Sequence, residues 1–105
     1  MTTIQVQAQI DSITKQLIQK YKPVKIILFG SAAVGSMTPD SDLDFFIIKD
    51  DKKPRHDRMV EVYRLVEKDI AADFLVYTPE ELATRVRMGD PFIKSVLSEG
   101  KVLYG

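Results

Sequence analysis

The chain has 105 residues, 45% of them hydrophobic, and no cysteine. That is enough for a single domain over residues 1–105 with one core, and it excludes a disulfide framework or a thiolate metal centre. Fifteen Lys and Arg balance fifteen Asp and Glu, giving zero net charge; this speaks against long nucleic acid, whose binding needs a basic excess or stripe, but not against a single nucleotide.

Apolar residues at Ile10, Ile13, Leu17, Ile18 and Tyr21 recur in steps of three and four. The spacing predicts a helix from about Ile4 to Tyr21 with one buried stripe, stopped by Pro23. Val24 to Phe29 reads as a first strand broken by Gly30, with Ser31 capping a short helix over Ala32, Ala33 and Val34 that Gly35 closes. Ser36 to Ser41 is a loop with a turn signal at Pro39-Asp40, and Leu43 to Lys49 is a second strand, apolar on both faces beyond its start and therefore central. Asp50 to Arg58 is a charged loop containing the lone His56, and a crossover helix follows from Arg58 to Ile70 on the stripe Met59, Val62, Tyr63, Val66 and Ile70. Ala72 to Tyr77 is a third strand. Pro79, Glu80 and Glu81 open another helix, Gly89-Asp90-Pro91 breaks the pattern, and a last helical piece spans about Phe92 to Leu97. The apolar tail Lys101-Val102-Leu103-Tyr104 could add a strand. Strands alternating with helices give an α/β domain: a small mixed sheet of three core strands, plus that C-terminal candidate, flanked by helices.

The chemistry concentrates at two places. The first strand runs into Gly30-Ser31-Ala32-Ala33-Val34-Gly35, and Ser41-Asp42-Leu43-Asp44 stands at the mouth of the second. Residues two apart in a strand share a face, so Asp42 and Asp44 project side by side, about 7 Å apart along the backbone. If strands one and two are antiparallel and strand three runs parallel to strand two, the Gly-Ser turn, Asp42, Asp44 and Asp73 all meet at one end of the sheet. Clustered carboxylates call for a counter-charge such as Mg²⁺, and a small-residue turn offers backbone N–H groups and a hydroxyl to phosphates. Two metals shared by Asp42 and Asp44, with Asp73 either holding the one that activates the acceptor or accepting the acceptor's proton, would suit transfer of a nucleotidyl group from a nucleoside triphosphate to a hydroxyl.

Gly30-Ser31, Gly35 and Ser41-Asp42-Leu43-Asp44, with Asp73 on a later strand, resemble the polymerase-beta-type nucleotidyltransferase superfamily, and the small size resembles its minimal members, the MNT proteins. The resemblance implies that fold and three roles for these residues: Asp42, Asp44 and Asp73 as catalytic and metal-binding residues, Gly30, Ser31, Gly35 and Ser41 as nucleotide-binding residues, and ATP with two Mg²⁺ ions as substrate and cofactor. It also implies an antitoxin that adenylylates a tyrosine of a HEPN-domain toxin. One departure is Val34, where many relatives carry arginine before the second glycine. Val34 and the small size leave open a non-catalytic module that masks a partner protein; a transferase acting on nucleic acid is the third reading, and an oligomer is left open. No basic stretch followed by an apolar run opens the chain and no apolar segment reaches membrane-spanning length, so a cytoplasmic protein without a membrane partner is expected.

Beside these stand plainer readings. An isolated Asp-x-Asp is more often a solvated strand start than a site, and Tyr63, within the apolar stripe, is expected in the core. The fixed order of Gly-Ser, Asp-x-Asp and a third Asp outweighs the first of these.

Overall fold

The computed structural model describes residues 1–38 and 40–105. Residue 39 of the turn expected at Pro39-Asp40 lies outside the described residues. Helix α1 spans Thr3–Gln16 and starts on a capping box: Thr2 accepts the Gln5 N–H, and the Gln5 side chain accepts the Thr2 N–H. The predicted helix continues to Tyr21, but Leu17–Tyr21 winds as a π turn and ends with Lys22 in the left-handed region at φ 56°. Widening that turn keeps both Leu17 and Tyr21 buried.

The sheet contains strands β1 (Lys25–Phe29), β2 (Leu43–Ile48), β3 (Ala72–Tyr77) and β4 (Lys101–Tyr104), in spatial order β3-β2-β1-β4. β1 is antiparallel to both β2 and β4, and β2 is parallel to β3. The apolar tail is therefore a fourth strand, so the small mixed α/β sheet has both its three core strands and its C-terminal one. Helix α2 (Ser31–Val34) follows β1, and α3 (Arg55–Leu65) connects β2 to its parallel neighbour, as such a pair requires. Helices α4 (Pro79–Arg87) and α5 (Pro91–Glu99) lead to β4.

Alternation along the strands separates two cores. On one face Leu43, Phe45, Ile47 and Phe74 meet Ile10, Ile13 and Leu17 of the N-terminal helix and Val62 of α3. On the other, Ile27, Phe46 and Tyr77 meet Ile93 and Val96 of α5. β2 is covered on both sides, as its apolar run predicts.

Two boundaries differ from expectation. α3 begins at Arg55, inside the stretch expected as a loop, and stops at Leu65, five residues short of Ile70, with Val66 already extended. Val66 remains buried and Ile70 half-buried because an irregular return packs them against the same core. In α5, which begins one residue before the expected Phe92, Ile93 and Val96 are buried while Phe92 and Leu97 are exposed, so one side of the helix faces the sheet.

Candidate active site

The sheet register brings the expected elements to one end. Phe29, the last residue of β1, pairs with Asp44, and Asp44 pairs with Asp73 across the parallel β2–β3 ladder. Register partners share a face, so the Asp44 and Asp73 carboxylates are neighbours. Asp42 precedes β2 by one residue and is exposed.

Gly30 follows Phe29 at φ 72°, and a β-carbon there would collide with Asp44 Oδ2. Only glycine combines that backbone angle with so close an approach. Gly30, not Ser31, is the residue that caps α2; Ser31 is the first helical residue, and no side chain bonds the helix start. The expected Ser31 cap is thus corrected: its backbone is inside the helix, where the first N–H groups have no intrahelical acceptor. Gly35 closes α2 at φ 74°, as expected.

Ser41 is engaged locally. Its hydroxyl accepts the Thr38 N–H at 2.9 Å and lies 3.1 Å from the Thr38 hydroxyl, so it shapes the loop before β2. Gly35, Ser41 and Asp42 line a cavity of about 650 Å³ that also touches Ala32, Val6 and Ile10. A smaller hollow of about 170 Å³ is lined by Gly30, Phe29 and Phe92.

The electrostatics are one-sided. Burial, and after it the charges of Asp73 and Asp42, push the Asp44 carboxyl above its ordinary range. The ion pairs among the described residues are Lys53–Glu61, Arg58–Glu81 and Arg85–Asp90, and none engages Asp42, Asp44 or Asp73. No three acidic or histidine side chains among the described residues form a ready-made metal cage. Mg²⁺ does not need one, since it is commonly held by one or two carboxylates together with substrate phosphates and water. Hard oxygen donors in an uncompensated negative cluster are a donor set that fits such an ion.

The sequence reading placed Tyr63 in the core. Its ring does pack edge-on against Phe74, with centroids 5.0 Å apart, yet the residue is 39% exposed. Its hydroxyl donates to Asp73 Oδ1 at 3.3 Å and accepts the Phe74 N–H at 3.1 Å. Burial is the main cause raising this phenol above its usual range; the Phe74 N–H opposes the shift and Asp73 adds to it. The missed signal was topological: a crossover helix returns beside the strand it precedes, so its C-terminal turn lies near the start of β3, where Asp73 stands. His56 is exposed, as its charged surroundings suggest.

Three comparisons with known proteins bear on the family and the fold of the chain. Residues 10–104 match the family model described as the nucleotidyltransferase domain. The chain is 30% identical over 86 residues, 81% of its length and 80% of the relative's, to a Methanocaldococcus jannaschii protein provisionally named a protein adenylyltransferase. Its fold is similar to a crystal structure from Sulfolobus solfataricus, provisionally described as a nucleotidyltransferase, with TM-score 0.61, 18% identity and coverage of 97% of this chain and 87% of that one. The matched span runs from α1 to β4 and takes in the Gly-Ser turn and all three aspartates, and on that ground the chain belongs to the nucleotidyltransferase domain family and is a nucleotidyltransferase.

Proposed function

We propose that the chain transfers AMP from ATP to a tyrosine hydroxyl of a partner protein, a HEPN-domain toxin, and so acts as its antitoxin. The observation that carries the site assignment is the pairing of Asp44 with Asp73 next to Gly30, with Asp42 two residues upstream. The name of the Methanocaldococcus jannaschii relative supports a protein acceptor and an adenylyl group.

In this reading the N–H groups at the start of α2 and the Ser31 hydroxyl receive the triphosphate. Gly30, having no β-carbon, lets the Asp44 carboxylate lie against the turn that carries those N–H groups. Asp42 and Asp44 would hold two Mg²⁺ ions, and Asp73 would share one; such ions neutralise charge on phosphate oxygens and favour the ionised acceptor. Asp73 also accepts the acceptor's proton. A bond forms between the acceptor oxygen and the α-phosphorus, the bond to the β-phosphate oxygen breaks, and pyrophosphate leaves. Ser41 contributes indirectly, by setting the loop that carries Asp42.

The test is intact-mass spectrometry of the partner after incubation with ATP and Mg²⁺, comparing wild type with Asp44→Asn. Wild type should add one or more AMP units, and Asp44→Asn should add none while keeping its circular dichroism spectrum. Equal labelling by both would remove Asp44 from the chemistry. A stable complex with both proteins and no mass gain would replace catalysis by masking.

A further inference from the structure

Asp73 lies exposed on an edge strand, where an aspartate side chain ordinarily samples several rotamers. Among the described residues its side chain has one hydrogen-bond partner, the Tyr63 hydroxyl. That hydroxyl is itself fixed. The Phe74 N–H donates to it, the ring rests edge-on against Phe74 at an interplanar angle of 76°, and Lys68 Nζ lies 5.9 Å from the ring centroid on its open face. A phenol has one proton. With its oxygen receiving the Phe74 N–H, that proton is directed at Asp73. Asp44 differs: it has no such donor, and its carboxylate lies where a β-carbon on Gly30 would be. Of the two facing carboxylates, only Asp73 is held by a side-chain hydrogen bond among the described residues.

We infer that Tyr63 is a positioning residue for nucleotidyl transfer: its hydroxyl, pinned by the Phe74 N–H, holds the Asp73 carboxylate in the orientation the reaction uses. The inference rests on the assignment of Asp73 to the site. A purely structural role accounts for the ring but not for the hydroxyl. Phenylalanine would pack on Phe74 as well, and at a free sheet edge water can take the Phe74 N–H. What only the hydroxyl provides is a directed donor to Asp73. Partners of this kind, behind the groups that hold a metal, set its affinity, and their loss costs on the order of 10-fold or more.

The experiment compares full-length wild type, Tyr63→Phe, Asp73→Asn and the double variant. Mn²⁺ binding is followed by electron paramagnetic resonance with the non-reacting analogue α,β-methylene ATP present, alongside thermal melts and the AMP-transfer assay across a Mg²⁺ titration. Tyr63→Phe should melt close to wild type, bind Mn²⁺ on the order of 10-fold more weakly and need correspondingly more Mg²⁺ for half-maximal transfer. Its KM for ATP at saturating Mg²⁺ should hold steady, and in the Asp73→Asn background the same change should have no further effect. Wild-type Mn²⁺ affinity in Tyr63→Phe, or an equal loss on both backgrounds, overturns the positioning role and leaves the transferase reading intact. AMP found on Tyr63 itself also overturns it, making the hydroxyl an acceptor. A wild-type protein that neither binds Mn²⁺ nor transfers AMP overturns both.

Discussion

Asp44 carries an uncompensated charge. It is half-buried, faces Asp73 and follows Asp42, and among the described residues its carboxylate makes no hydrogen bond or ion pair. Its carboxyl is raised above the ordinary value of 3.8, chiefly by burial. Protonation therefore favours the folded state, and stability from this residue is lost as pH rises through the raised value. In metal-free protein at neutral pH, Asp44→Asn should raise Tm by a few degrees, and the gain should shrink as pH falls below 3.8, where wild-type Asp44 is neutral folded or unfolded. Melts with a chelator present, run across that range, check this; a lower Tm for the variant at neutral pH would mean that the carboxylate is compensated after all. A residue that destabilises the resting fold while sitting at the mouth of β2 is what a binding site for a cation and a triphosphate calls for. The placement of Asp44 and Asp73 at one end of the sheet and the backbone angles of Gly30 and Gly35 were legible in the sequence, because they follow from strand alternation and from angles that glycine permits. The hydrogen-bond partners of the Ser41 and Tyr63 hydroxyls were not. A hydroxyl's partner depends on loop closure and on which helix turn meets which strand, and neither has a period to read.

At the level of elements, the junction of α3, β3 and α4 is tied by one buried arginine. Arg58 donates to both carboxylate oxygens of Glu81 at 2.8 and 2.9 Å, to the Val76 carbonyl at 3.0 Å and to the Lys53 carbonyl at 2.9 Å. Glu81 also completes the capping box of α4 by accepting the Thr78 N–H. The Arg58 guanidinium holds the Glu81 carboxyl at about 2, well below its usual 4.5. This stabilisation is fully present above pH 4.5 and is lost as pH falls toward 2. Glu81→Gln should cost on the order of 1–2 kcal/mol at neutral pH, less than breaking a fully buried pair because Glu81 is partly exposed. It should also flatten the acid limb of the stability curve, and urea unfolding at several pH values would detect both changes. An unaltered acid limb would show that the bidentate pair does not form in solution. The clamp also explains a misread boundary. Arg58 looked like part of a charged loop, since local composition cannot show that a distant glutamate will cover its charge, and so α3 starts earlier than expected. At its other end, Val66 and Ile70 keep helical spacing only because an irregular segment returns them to the same core. By contrast, the start of α4 was legible from Pro79, Glu80 and Glu81, and that of α5 to within a residue from the Gly89-Asp90-Pro91 break, although the caps themselves, Thr78 and Asp90, emerge only in the structure.

Over the whole molecule, charge is balanced in number but not in place. Fifteen acidic and fifteen basic side chains cancel, yet the end of the sheet beside Gly30 gathers three aspartates without a basic partner among the described residues. That end is built from residues distant in sequence, Gly30 after β1, Asp44 on β2 and Asp73 on β3, so a ligand bound there makes contacts that unfolding must break. A ligand that binds only the folded chain stabilises it by about 2.7 kcal/mol at a hundred times its Kd. In a chain of this size each kcal/mol moves Tm by roughly 4–8 °C. ATP and Mg²⁺ together should therefore produce a large upward shift of the melt. ATP alone should produce little, because the triphosphate meets a negative cluster, and Mg²⁺ alone should produce an intermediate shift by relieving Asp44. A chelator should reverse all of it. In Asp44→Asn the apo protein starts higher and the increment with ATP and Mg²⁺ should be much smaller. An equal increment in both proteins, or a full shift with ATP in the presence of chelator, would show that the nucleotide binds away from Asp44.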